Sequence, residues 1–214
     1  MDAPQTAPPL ILGLTGGLAS GKSTVSAFFK ENGAYLVDAD AIVHNLQKAG
    51  TPQTLAIAAK IGKDVLDENG GINRRILSKK VTEKKELLPF LENLLHPAVY
   101  HEEKAQIREA AQQGHSFVIL DVPLLFEVGS HKHCDRVALC YAPLEVRKKR
   151  AFEREGMTTD KWEALLERRW PDADALKASD YVIKTDTDKE QTRNQVKQIC
   201  DKLKNEQGGA FARL

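Results

Sequence analysis

Short apolar runs alternate with longer amphipathic stretches along most of the chain. Five almost continuous apolar runs predict buried β-strands, at 10–14, 35–37, 117–120, 137–141 and 181–183. The stretches between them have helical spacing of apolar residues, at about 22–32, 39–48, 52–61, 83–113, 144–155, 159–169 and 188–206. Buried strands that alternate with amphipathic helices are typical of an α/β protein with a parallel sheet flanked by helices.

The alternation is interrupted between residues 41 and 114. This interval contains no run that predicts a strand, and its helical pattern is broken by turns at 48–50, 68–71 and 95–97. We interpret it as a mainly helical lobe inserted between the second and third strands. A lobe in that position is suited to carrying an acceptor site.

Composition narrows the class of protein. Of 214 residues, 29% are charged and 42% are hydrophobic, as in an ordinary globular protein. The net charge of +1 gives no reason to expect nucleic acid or a membrane surface as a partner. Cys134, Cys140 and Cys200 are an odd, sparse set, no window approaches the roughly 18 apolar residues of a membrane span, and the first residues lack a leader pattern. These features predict a cytoplasmic location.

The stretch GLTGGLASGKST, at 13–24, carries the strongest chemical signal. It contains the pattern G-x-x-x-x-G-K-[S/T] between an apolar strand and an amphipathic helix. The glycines let backbone N–H groups turn toward phosphate oxygens, the lysine can reach the β- and γ-phosphates, and the serine hydroxyl can ligate Mg²⁺. The alternative is a glycine-rich turn with an incidental lysine. We predict an ATP site made of Gly16, Gly17, Leu18, Ala19, Ser20, Gly21, Lys22, Ser23 and Thr24.

Two carboxylates, Asp38 and Asp40, follow the second strand. Ligands gather at the carboxyl ends of parallel strands, so both should face the bound phosphates. One is suited to holding water on Mg²⁺ and the other to accepting the proton of an attacking hydroxyl. We favour Asp40 as the base, and the alternative is that it caps a helix beginning near Ala41.

Later carboxylates and arginines extend this site. Asp121 ends the third apolar strand, a pattern that assists the metal in phosphoryl transfer, and Glu127 can face the same crevice. Arg147, Arg150 and Arg154 lie at i, i+3 and i+7 on one helix face. Their guanidinium groups suit a lid over the triphosphate that neutralises charge on the transferred group. The alternative is a solvated basic face.

Two other motifs point to different classes of protein. His131-Lys132-His133-Cys134 suggests zinc, but the ligands are crowded and no second pair has zinc-site spacing, so we favour a polar loop. Residues 67–70, DENG, match the D-x-x-G of GTPase-like switches. Only two apolar residues precede that motif and the chain has no N-K-x-D, so we favour a kinase.

Taken together, these stretches resemble the dephospho-CoA kinase family over about residues 10–183. The resemblance rests on GLTGG before the loop, VDAD at 37–40, LHP at 95–97, PLLFE at 123–127 and SDYVI at 179–183. The chain departs from the family pattern at Asn73, Arg147 and Arg169, where the family has Asp, Gln and Gln.

The resemblance implies transfer of the ATP γ-phosphate to the ribose 3′-hydroxyl of dephospho-CoA, with Mg²⁺, in coenzyme A synthesis. It implies a P-loop core at 10–40, 115–143 and 180–206, a helical acceptor lobe at 41–114 and a lid at 144–179, with flexible tails at 1–9 and 207–214.

By position, the family's roles assign catalysis to Asp40, Asp38, Lys22 and Arg150. Metal residues would be Ser23, Asp38 and Asp121. Acceptor-binding residues would be Asp38, Asp40, Arg74, His96, Pro123, Leu124 and Glu127. We expect a monomer or weak homo-oligomer. A P-loop kinase of another small molecule or a nucleoside monophosphate is the alternative.

Overall fold

The computed structural model describes residues 8–213, with the side chain of Arg213 left out. The strands are β1 (Leu10–Gly16), β2 (Tyr35–Asp38), β3 (Phe117–Asp121), β4 (Arg136–Tyr141) and β5 (Tyr181–Lys184). The helices are α1 (Lys22–Glu31), α2 (Ala39–Leu46), α3 (Pro52–Ile61), α4 (Arg74–Glu83), α5 (Leu87–Gln112), α6 (Leu144–Phe152), α7 (Thr159–Leu166), α8 (Asp172–Ala178) and α9 (Lys189–Leu203). The five predicted strands are confirmed, each slightly longer than predicted.

The strands form one parallel sheet in the order β2-β3-β1-β4-β5. The central strand, β1, is buried at every position, which explains its continuous apolar sequence. Leu14 lies opposite Asp121 of β3, and Gly16 lies opposite Cys140 of β4. Because the strands are parallel, their carboxyl ends share one edge, and the register brings Asp121 beside the end of β1.

The chain divides into two compact units. One consists of the described residues up to Val37 and from Ile107 onward, and the other of Asp38–Gln106. The first has a core of apolar side chains from the sheet, α1 and α9, including Leu12, Phe29 and Leu203. The bounds of the second unit differ from the 41–114 predicted for the helical lobe. Its own core is formed by Ile57, Val65, Ile72, Leu77 and Leu91.

The turn predicted at 95–97 is wrong, because α5 continues through Pro97. Proline cannot donate to the carbonyl one turn earlier, and its ring crowds that carbonyl, at a typical cost of about 3 kcal/mol. Helix packing offsets this cost, since Leu91, Ile107 and Ala110 of α5 are buried.

Two helices are absent from the predicted pattern. The sequence of α4 is strongly polar, and its start is fixed by Asn73, whose side chain accepts the Ile76 N–H at 3.2 Å. The short α8 follows Pro171 and buries only Ala175, so its apolar spacing is too weak to signal a helix.

The described part of the segment 207–214, for which a flexible tail is predicted, is hydrogen-bonded to the rest of its unit. The N–H groups of Gly209 and Ala210 donate to Asp135 Oδ1 at 2.7 and 2.6 Å, and Ala210 is fully buried. Asp135 also accepts the Ile11 N–H, so one carboxylate joins the C-terminal segment to β1. The predicted tail at 1–9 lies outside the described residues except for Pro8 and Pro9.

Among residues 8–213, no helix combines the length and apolar character that a bilayer crossing requires.

Replacing Glu103 with glutamine should stabilise the protein increasingly as pH rises. Glu103 lies in α5 and is only 6% exposed, and burial raises its pKa to about 7 from the ordinary 4.5. Between those values the unfolded chain releases this proton while the folded chain keeps it. Folding stability therefore falls with rising pH, by about 3 kcal/mol for such a shift.

Urea unfolding of the wild type and Glu103→Gln at pH 4.5 and pH 8 measures this effect. We expect the stability difference to move by about 3 kcal/mol toward the variant at pH 8. Glu92→Gln, at an exposed position of the same helix, is the matched control and should show no such change. A difference for Glu103→Gln that does not vary with pH would contradict the prediction.

Candidate nucleotide-binding site

The glycine-rich stretch forms a tight loop between β1 and α1. The Ser20 N–H donates to the Gly17 carbonyl at 3.1 Å, and the Thr24 N–H donates to the Gly21 carbonyl at 3.0 Å. Ala19 and Gly21 both have positive φ, at 58° and 84°. Successive turns of this kind direct backbone N–H groups to one side and form an anion-binding concavity at a helix N-terminus.

Several N–H groups of this loop are available to a ligand. Among the described residues, those of Ala19, Gly21, Lys22 and Ser23 donate to no backbone carbonyl. Glycine is required where the loop is crowded, since a Cβ at Gly16 would lie 2.8 Å from the Cys140 carbonyl oxygen. The geometry therefore fits the phosphate loop predicted from the sequence.

Lys22 and Asp121 come together at the centre of this site. The Lys22 ammonium forms an ion pair with Asp121 Oδ1, and the Ser26 hydroxyl donates to Asp121 Oδ2. Asp121 is only 5% exposed, so the ion pair with Lys22 places a positive charge next to a buried carboxylate. The sequence analysis missed Ser26, although its place one helical turn after Lys22 puts both side chains on one face of α1.

The far side of the phosphate loop is held by Thr185, directly after β5. Its hydroxyl lies 2.6 Å from the Ser20 carbonyl oxygen and 3.2 Å from that of Tyr141. Arg150 in turn donates to the Thr185 carbonyl oxygen at 2.7 Å. Thr185 was also missed, and its signal is its position at the carboxyl end of a predicted parallel strand.

A cavity of about 280 Å³ opens beside the loop. Arg150 and Arg154 both line it, so the structure brings these two predicted lid arginines to the phosphate loop. Its remaining walls consist of loop residues, hydroxyl groups and one further cation, namely Ala19, Gly21, Thr24, Thr185, Thr187, Lys189 and Thr192. Cations and hydroxyl groups next to a phosphate loop suit a nucleotide.

The third predicted lid arginine, Arg147, has different surroundings. It is buried, its Nε donates to the Ala142 carbonyl at 2.9 Å, and its guanidinium forms an ion pair with Asp172. The same group covers Gly17 so closely that a Cβ there would overlap it. Arg147 thus packs against the phosphate loop at Gly17. Its helical spacing had grouped it with Arg150 and Arg154 as a predicted lid residue.

The segment after β3 also borders the phosphate loop. Thr15 Oγ1 donates to the Pro123 carbonyl at 3.1 Å, and Glu127 accepts the Trp170 N–H at 3.0 Å. Phe126 stacks on Trp170 with ring centroids 4.9 Å apart, while Leu124 is half-buried. The predicted acceptor residues of PLLFE therefore belong to the same unit as the loop.

The other predicted acceptor residues belong to the second unit. Asp38 accepts the Ala41 N–H at 3.0 Å and caps α2, so the capping role considered for Asp40 belongs to Asp38. Asp40 is exposed in the first turn of that helix. Arg74 Nε donates to Gln47 Oε1 at 3.2 Å, and His96 is exposed on α5.

Two motifs from the sequence analysis have local structural roles. Residues 130–133 form a short 3-10 turn, and no cluster of three or more His, Cys, Asp or Glu side chains suited to a metal occurs among the described residues. Asp67 of the DENG motif accepts the N–H groups of Asn69 and Gly71 at 2.9 and 3.0 Å, which stabilises a turn before α4.

Cys134, Cys140 and Cys200 are buried, and none of them forms a disulfide among the described residues. Burial raises the pKa of the Cys140 thiol, and it raises that of Cys200 to about 11. Both therefore stay protonated and unreactive at neutral pH.

The parallel sheet, the phosphate loop and the Lys22–Asp121 pair define the class of protein as a P-loop kinase fold. A family model described as dephospho-CoA kinase matches residues 10–191. The chain belongs to the dephospho-CoA kinase family, which confirms the resemblance inferred from the motifs.

Individual relatives agree with this assignment. The chain is 36% identical to a dephospho-CoA kinase of Aquifex aeolicus, over 90% of this chain and 96% of the relative. It is 38% identical to one from Bartonella quintana, over 90% and 97%. Among solved structures, TT1252 from Thermus thermophilus matches with a TM-score of 0.76 and 27% identity, over 91% of this chain and 98% of that one.

Proposed function

We propose that this protein transfers the γ-phosphoryl group of ATP to the ribose 3′-hydroxyl of dephospho-CoA, yielding coenzyme A and ADP. The observation that carries the proposal is the phosphate loop with its Lys22–Asp121 pair, in a chain of the dephospho-CoA kinase family. Relatives with that name cover about nine-tenths of the chain, so the shared sequence includes both units.

The residues divide the reaction between charge stabilisation and proton transfer. The acceptor oxygen attacks the γ-phosphorus, the bond to the β–γ bridging oxygen breaks, and ADP leaves with that electron pair. Lys22 exchanges Asp121 for the β- and γ-phosphates, while Arg150 and Arg154 neutralise charge on the transferred group. Asp40 accepts the proton of the acceptor hydroxyl.

A magnesium ion fits the oxygen donors at this site. The Ser23 hydroxyl is exposed at the start of α1, and the Asp121 carboxylate lies beside Lys22 of the same helix turn. A hydroxyl and a carboxylate are the hard ligands that Mg²⁺ prefers, usually alongside substrate phosphates. Ser23 and Asp121, with Asp38 as a further candidate, would hold the ion, which neutralises phosphate charge when bound.

The acceptor contacts follow from the family positions. Asp38, Asp40, Arg74 and His96 of the second unit are candidates, as is the PLLFE segment of the first. Buried cysteines that form no disulfide among the described residues fit a reducing compartment, which supports a cytoplasmic location. A monomer or weak homo-oligomer remains our prediction.

Purified protein with Mg-ATP and a panel of acceptors tests the function. The panel contains dephospho-CoA, adenosine, AMP, pantetheine and no acceptor, and ADP release is measured for each. We expect ADP formation that depends on dephospho-CoA, with coenzyme A detected by mass spectrometry. Turnover that depends on AMP or adenosine instead would identify another kinase. GTP hydrolysis without an acceptor would favour a nucleotide switch.

A further inference from the structure

Arg169, in the turn after α7, connects two loops at the carboxyl edge of the sheet. Its Nη1 donates to the Gly16 carbonyl at 3.2 Å and also to the Pro123 carbonyl. Gly16 begins the phosphate loop, and Pro123 lies two residues after Asp121. One guanidinium thus bridges the loop that carries Lys22 and the segment that follows its partner carboxylate.

Arg169 is itself held in place by its neighbours in sequence. The Trp170 N–H donates to Glu127, and the Trp170 ring stacks on Phe126 at an interplanar angle of 12°. Asp172 forms the ion pair with Arg147, whose guanidinium covers Gly17. The segment 169–172 is therefore held at Arg169, Trp170 and Asp172. It reaches the phosphate loop directly at Gly16 and, through Arg147, at Gly17.

The two carbonyl bonds restrict the loop in a specific way. A trans peptide unit places its carbonyl oxygen and its N–H on opposite sides, so fixing the Gly16 oxygen also fixes the direction of the Gly17 N–H. The orientation of this peptide also sets the path by which the backbone enters the turn at Ala19 and Gly21. The Pro123 bond adds a second constraint, since Thr15 donates to the same oxygen at 3.1 Å.

We propose that Arg169 is a positioning residue for phosphoryl transfer. It holds the phosphate loop in register with the β3 edge, so that Lys22 meets the transferred group in the productive geometry. This inference rests on the proposed function. Small misplacements of groups around a reacting centre cost about 10²-fold in rate, so the effect should appear in kcat more than in the binding of ATP.

Arg169→Met tests the role because it keeps much of the side-chain length and removes every donor. We expect kcat with ATP and dephospho-CoA to fall by about 10- to 100-fold, with KM for ATP changing less than about threefold. Arg169→Lys keeps a cation that can donate and should recover part of kcat. The matched control is Arg168→Met, at the exposed neighbouring position, which should retain wild-type kinetics.

Thermal melts and nucleotide titrations on the same samples separate positioning from folding. A kcat for Arg169→Met equal to wild type would overturn the proposal. So would a loss of kcat that matches the loss of folded protein, or one that Arg169→Lys does not relieve at all. An inactive wild-type protein would reject the proposed function itself, whereas an active wild type with an unaffected Arg169→Met would reject only the role of Arg169.

Discussion

Replacing Lys22 with alanine should lower phosphoryl transfer by about 10³-fold or more. The transferred group spreads negative charge over its oxygens in the transition state, and a fixed cation at that point stabilises the transition state more than bound ATP. In the proposed mechanism Lys22 supplies this cation, and its side chain is 18% exposed, so a ligand in the loop can reach it. The measurement is kcat for coenzyme A formation at saturating substrates.

The Lys22–Asp121 ion pair requires a control for this experiment. Removing the ammonium takes the cation away from the buried Asp121 carboxylate, which Ser26 also contacts, and loss of one partner of a buried ion pair is destabilising. Thermal melts must therefore show that the variant is folded at the assay temperature. Lys30→Ala, at an exposed position of the same helix, is the matched control. A folded Lys22→Ala protein within tenfold of wild-type turnover would contradict the assignment.

The sheet could be predicted because a buried strand requires apolar residues, and these can be recognised in the local sequence. β1 is buried on both faces, and a strand in that position must be apolar at every residue. The helices of the lobe were harder to predict, because their ends depend on single polar contacts. Asn73 starts α4 within a strongly polar stretch, and α5 accommodates Pro97 since its buried residues on both sides offset one lost hydrogen bond.

The same distinction applies to the site: local sequence patterns predict some of its residues, whereas others are brought in from distant parts of the chain. The places of the phosphate loop and of Asp121 could be predicted because each lies at the carboxyl end of a strand, and the parallel sheet brings those ends to one edge; Lys22 belongs to the motif of the loop. Arg169 and Thr185 contact the loop from 153 and 165 residues away, and no spacing rule links such positions. Helical periodicity grouped Arg147 with Arg150 and Arg154. In the structure, however, Arg147 is bound to the Ala142 carbonyl and to Asp172.

Replacing Asp40 with asparagine should lower kcat by about 10²- to 10⁴-fold, the range for loss of a general base. The amide keeps the size of the side chain but cannot take the proton of the acceptor hydroxyl. Asp40 is suited to this role by its surroundings, because it is exposed in the first turn of α2 and no hydrogen bond or ion pair engages it among the described residues. Its substitution should therefore leave folding unchanged.

Asp38→Asn is the comparison that gives the Asp40 result its meaning. Asn caps helices as well as Asp, so the bond to the Ala41 N–H survives and α2 remains intact. If Asp38 serves the metal, its variant should need more Mg²⁺ for half-maximal rate and approach wild-type kcat when Mg²⁺ saturates. Asp40→Asn should stay slow at every Mg²⁺ concentration. The reverse pattern would assign the proton to Asp38, and wild-type turnover in Asp40→Asn would remove Asp40 from the chemistry, since an amide in its place cannot act as a base.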